Sequence, residues 1–111
     1  MLKLKMDGAI NMDILSEKKI MIKIIGVLEA IKNNSMSITE GEKYLFSPRI
    51  VKRLIDDNCD ERIINIIEEC CELEDISSLI PNKLIVNIDL LKERTLELLK
   101  SYETVEMINW N

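Results

Sequence analysis

Nine carboxylates lie between Asp56 and Asp75 (Asp56, Asp57, Asp60, Glu61, Glu68, Glu69, Glu72, Glu74 and Asp75), against a single base, Arg62. That segment carries −8, while the other 91 residues hold eleven acids and fourteen bases, so the formal net charge of −5 conceals a local pole. Carboxylates at this density suit three kinds of chemistry. Paired-acid catalysis needs two carboxyl groups in one cleft with separated pKa values, and a row of acids along a helix gives no sign of such a cleft. A calcium loop would start at Asp56, with Asn58 and Asp60 at its third and fifth positions. Glu61 then falls where glycine must turn the chain, and Ile67 where a bidentate carboxylate must close the site, so that loop is rejected and no metal site is assigned.

The third chemistry is docking of a basic partner. If residues 60–72 are helical, Asp57, Glu61, Asn65, Glu68 and Glu72 recur along one face, Glu69 lies beside them, and Glu74 and Asp75 extend the patch. Like-charge neighbours at this spacing cost about 0.2–0.5 kcal/mol each in an isolated helix, so the spacing was not chosen for stability. Asp57, Glu61, Glu68, Glu69, Glu72, Glu74 and Asp75 are therefore the candidate partner-binding residues. The bland alternative is a solvated face, although such a face normally mixes both signs of charge.

Other chemistry lacks its residues. The chain has no histidine, which removes a His-based relay and His metal ligands. Its three glycines are isolated, so no loop cradles phosphate, and neither a catalytic residue nor a cofactor is assigned. Cys59, Cys70 and Cys71 are odd in number with two adjacent, a poor disulfide framework that reads as buried or half-buried thiols. Lys3, Lys5, Lys18, Lys19 and Lys23 give a basic N-terminal bias. No aromatics interleave them for base stacking, so they read as solvated lysines and direct nucleic-acid binding is not expected. Trp110 is either a clasp for the tail or an interface anchor.

The elements that must position these groups read as helices. Asp13 or Ser16 caps a first helix ending at Asn33-Asn34-Ser35, with Ile14, Ile20, Ile24, Val27, Leu28 and Ile31 inward and Gly26 as a candidate for close helix crossing. Ser37 and Glu40 form a capping box for a short second helix. Ser47-Pro48 opens a third, with Ile50, Val51, Leu54 and Ile55 inward. Asp60 caps a fourth carrying Ile63, Ile64, Ile66, Ile67, Cys70 and Cys71. Asp75 caps one short turn before Pro81, and Asn82 caps a long final helix with Leu84, Ile88, Leu91, Thr95, Leu98 and Tyr102 inward.

The expected fold is an all-α, single-domain bundle of about five helices over residues 1–111, with 1–11 as an arm or short strand and 105–111 as a tail. At 47% hydrophobic residues the chain should fold, and no apolar run approaches the roughly 18–20 residues that span a membrane. The N-terminus lacks the apolar region and cleavage site of a signal peptide, so a soluble cytoplasmic protein is expected.

Two stretches, Ser37-Ile38-Thr39-Glu40-Gly41-Glu42-Lys43-Tyr44-Leu45-Phe46-Ser47-Pro48 and Cys71-Glu72-Leu73-Glu74-Asp75-Ile76-Ser77-Ser78-Leu79-Ile80-Pro81, resemble a small bacterial family of about this length without assigned activity. The similarity covers residues 12–100. In its acidity and its nineteen Ile, eleven Lys and nine Asn the chain also resembles, more loosely, immunity proteins of bacterial toxin systems such as contact-dependent growth inhibition. That composition equally describes a gene from any A/T-rich source, and no immunity motif maps onto individual residues. The second resemblance implies a non-catalytic protein that neutralises a cognate toxin; joined to the acidic face, it gives the expectation of a nuclease whose basic cleft that face plugs. The alternative is a structural or regulatory helical module that binds another protein through an apolar face.

Overall fold

The structure, a computed structural model, describes residues 11–102. Six α-helices follow one another: α1 Ile14–Lys32, α2 Ile38–Tyr44, α3 Pro48–Asp56, α4 Glu61–Cys70, α5 Leu73–Leu79 and α6 Leu84–Lys100, with one 3₁₀ turn, Pro81–Lys83, between the last two. Among the described residues there is no strand. The expected count of about five helices resolves into four of nine residues or more, α1, α3, α4 and α6, linked by two seven-residue helices. Residues 1–10 of the expected arm, the tail 105–111 and Trp110 lie outside the described residues.

Local chemistry places most helix starts. The Asp13 carboxylate accepts from the Ser16 amide at 2.7 Å, and Ser37 and Glu40 bond reciprocally as a capping box. Ser47 Oγ accepts from the Ile50 amide at 3.3 Å with Pro48 at the first helical position. Helices α1 and α3 end alike. Asn34 and Asn58 take φ of 61° and 59°, the left-handed conformation asparagine tolerates. The next amide then reaches back five residues, Ser35 to Ala30 at 2.8 Å and Cys59 to Leu54 at 2.9 Å, closing a Schellman motif.

Two expected caps fail. Helix α5 begins at Leu73, which is fully buried, so Asp75 lies within its first turn instead of at its cap. Asn82 sits inside the 3₁₀ turn, because Pro81 fits that turn's first position and moves the start of α6 to Leu84, where no side chain caps it.

Helices α1 and α6 run antiparallel as the long axis of the bundle. Lys32 pairs with Asp89 at 2.9 Å and Glu29 with Lys92 at one end, while Tyr102 reaches Glu17 at the other. Between them and α4 sits an aliphatic core that includes Met21, Ile24, Leu28, Ile63, Ile67 and Ile88, closed by Phe46 and Leu73. Cys59 and Cys70 are buried in it and Cys71 is half-buried, and none of the three is in a disulfide. The inward faces shift slightly from the periodicity: Met21 is buried where Ile14 is exposed, and Ile55, at the end of α3, is 55% exposed. Gly26 is not a helix crossing, since a Cβ there would meet nothing within 4 Å. The close approach is at Gly41, where a Cβ would lie 2.9 Å from Ile31 Cδ1 and 3.3 Å from Val27 Cγ1.

Candidate functional site

All seven candidate acids are exposed, but the fold distributes them over three places. Asp57 is the C-cap of α3, where its charge faces the negative end of the helix dipole. Glu61, Glu68 and Glu69 project from the outer side of α4, opposite Ile63, Ile67 and Cys70. Glu72 stands at the break between α4 and α5, and Glu74 and Asp75 occupy the first turn of α5, where the dipole favours them.

Three members of the nine-acid pole are matched internally. Asp60, the N-cap of α4, accepts from the Arg62 amide at 2.9 Å and from both edges of its guanidinium, Nε at 3.0 Å and Nη2 at 2.7 Å. Those bonds hold its carboxyl well below the usual carboxylate range. Asp56 pairs with Lys52 at 3.1 Å, one turn before it. Glu69 reaches across to Arg94 of α6 at 2.7 Å, a pairing over 25 residues that helical periodicity does not signal. Among the described residues Asp57, Glu61, Glu68, Glu72, Glu74 and Asp75 enter no ion pair.

Cys71, between α4 and α5, lies within electrostatic reach of Glu42, Glu68 and Glu72, the first because α2 packs on α5. Burial first, then these three carboxylates, push the Cys71 thiol up. Cys70 is also pushed up, mainly by burial, so both thiols stay protonated and poorly nucleophilic. No local pattern signals Glu42, whose place depends on a helix contact across some thirty residues. Among the described residues no three His, Cys, Asp or Glu side chains are grouped to hold a metal ion.

A second polar cluster was also missed. Glu17 of α1 is 7% exposed and accepts the Asp60 amide on Oε2 at 2.7 Å. The Tyr102 hydroxyl lies 2.9 Å from Glu17 Oε1 and 3.1 Å from Asp60 Oδ2, so its one proton serves one carboxylate at a time. Burial and then Glu17 push the phenol well above its usual range. The cluster ties the starts of α1 and α4 to the end of α6. Beside it, Lys18 is 9% exposed, which corrects its reading as a solvated lysine and fits a stem laid over apolar surface.

Between α4 and α6 runs an open groove of about 540 Å³ with Ile66, Leu90 and Leu98 as its apolar surface. Arg62, Arg94, Glu93 and Glu97 line its sides. Leu79 and Ile80 before the 3₁₀ turn, and Ile85 and Val86 after it, are all exposed, an apolar stretch termed the ledge. Exposed apolar surfaces of this kind are suited to contact with another macromolecule. No helix among the described residues is long and apolar enough to cross a membrane.

A family model described as a protein of unknown function, DUF3969, matches residues 12–111, slightly beyond the expected 12–100 and including both quoted stretches. No curated protein and no solved structure matches the chain.

Proposed function

We propose, for a chain that belongs to the DUF3969 family of proteins of unknown function, that it is a non-catalytic binding protein docking a basic partner through the outer face of α4 and the α4–α5 junction. The observation that carries this reading is the set of six exposed carboxylates, Asp57, Glu61, Glu68, Glu72, Glu74 and Asp75, without ion pairs among the described residues. Uncompensated like charges raise the free energy of the isolated fold, and lysines or arginines of a partner relieve that cost while steering association. Glu69 takes a lesser part, since Arg94 already matches it.

The finer reading makes the partner a cognate bacterial toxin, a nuclease whose basic cleft the acids occlude, with this protein as cytoplasmic immunity protein. It rests on the charge surplus and on the composition, in which isoleucine, lysine and asparagine dominate. The test is the affinity for a basic nuclease domain encoded beside this chain. The triple variant Glu61→Lys, Glu68→Lys, Glu72→Lys should weaken binding by at least about a hundredfold, roughly 2.7 kcal/mol, with the helical circular dichroism unchanged. Unchanged affinity in the triple variant would remove the acidic-face mechanism. A second reading, an interaction module using an apolar face, is favoured by the ledge at Leu79, Ile80, Ile85 and Val86, where Leu79 is 79% exposed. It predicts instead that Leu79→Lys abolishes binding and the triple reversal does not.

A further inference from the structure

We propose that the α4–α6 groove is a docking site for one short amphipathic basic helix of a partner protein. This surface adjoins the acidic outer face of α4, with which it shares Asn65, and its Leu90 stands one turn beyond Val86 of the ledge, but the inference does not rest on either. Three observations converge on it. The groove is open and most of its exposed surface is apolar, with Leu90 57% exposed although it lies beside the core residues Ile66 and Leu91. An exposed leucine in a groove is unfavourable in water, and it gains when a second apolar surface covers it. The groove follows α6 from Leu90 to Ser101, about 16 Å at 1.5 Å per residue, which suits a partner helix of about three turns.

Charge then selects the partner. Both arginines on the groove walls are already matched, Arg62 by Asp60 and Arg94 by Glu69. Glu93 and Glu97, exposed and one turn apart on α6, enter no ion pair among the described residues. The surplus along the groove is therefore two negative charges on one rim. A helix that lays leucine-like residues onto Ile66, Leu90 and Leu98 would turn its flanking Lys or Arg toward that rim, the helix-in-groove mode. An acidic helix would be repelled there, and a basic segment without apolar residues would leave Leu90 wet.

The experiment titrates the full chain in moderate salt with a synthetic helix of about twelve residues, leucines at i, i+3/i+4 and i+7 and lysines elsewhere. Two controls accompany it: the same composition with leucines scrambled, and a version with glutamates in place of lysines. The lysine helix should bind with micromolar affinity and both controls at least about tenfold more weakly. Leu90→Lys, and Glu93→Lys with Glu97→Lys, should each weaken it by about tenfold or more; all three positions are exposed, so the fold is retained. The reversal at Glu61, Glu68 and Glu72 acts on the lysine helix only through longer-range charge, so in high salt it should cost less than Leu90→Lys does, and that order separates failure of this site from failure of the acidic face. Affinity indifferent to the groove variants, or lost only with the α4 reversal, overturns the proposal. Concentration-dependent dimerisation that Leu90→Lys abolishes overturns it too, since a second copy would then be the occupant.

Discussion

Replacing Tyr102 with phenylalanine removes one hydroxyl from the only contact that reaches both the start of α1 and the start of α4 from the end of α6 among the described residues. The ring remains, so little apolar burial changes. The hydroxyl lies within bonding distance of two carboxylates, 2.9 Å from Glu17 and 3.1 Å from Asp60, but its single proton makes one bond at a time. The loss is therefore one hydrogen bond to a charged acceptor, about 1.5–3 kcal/mol. Two features place it at the lower end of that range: Glu17 keeps the Asp60 amide at 2.7 Å, and Asp60 keeps both contacts of the Arg62 guanidinium. About 2 kcal/mol is the expected cost, which for a domain of this size lowers Tm by roughly 8 °C. Urea unfolding should show a lower midpoint at an unchanged m-value, because the buried surface is the same. The phenol titrates higher in the fold than in the unfolded chain, so its contribution is complete below about pH 10 and declines as pH rises above that. The variant should therefore be the less stable protein at neutral pH and lose less on alkalinisation. A cost below about 0.5 kcal/mol, or the same alkaline decline in both proteins, would refute the reading of this cluster.

Asp60→Asn should keep the N-cap of α4 yet cost about 1–3 kcal/mol, since the Arg62 pairing goes with the charge. Because the folded-state carboxyl is depressed, Asp60 contributes stability above the unfolded value near 4 and loses it as pH falls; acid titration of unfolding should be shallower in the variant. Gly26→Ala, in open space within α1, should raise stability by about 0.5–1 kcal/mol, whereas Gly41→Leu should lower it by about 2 kcal/mol or more against Ile31 and Val27, both read by thermal unfolding. Thiol labelling should proceed at Cys71 before Cys70, and Glu42→Gln should accelerate Cys71 by removing a carboxylate that opposes its thiolate; an unchanged rate would place Glu42 outside its reach.

Helix starts governed by bonds over two or three residues were legible in the chain. Asp13, the Ser37 and Glu40 pair, Ser47-Pro48 and Asp60 all cap where their types and spacing require, because such bonds involve only neighbours in sequence. The acids of α4 were legible as exposed for the same reason: the isoleucines at Ile63, Ile64, Ile66 and Ile67 fix which side of the helix turns inward. Local signals misled at two helix starts, once through burial and once through a neighbouring proline. Burial of Leu73 moved the start of α5 ahead of Asp75, and the 3₁₀ turn at Pro81 took Asn82 out of its capping role.

The sequence by itself thus determined that this chain is helical, where most helices begin, and that an acidic surface faces outward. The tertiary structure alone decided which acids stay uncompensated, because Glu69 meets Arg94 only when α4 lies beside α6. It also decided that Glu17 is buried against Asp60 and Tyr102, that Gly41 and not Gly26 receives a neighbouring helix, and that Leu90 lines a groove. The physical reason is common to all four. Periodicity states which face of a helix leaves water, but the partner that face meets is set by how every helix packs at once.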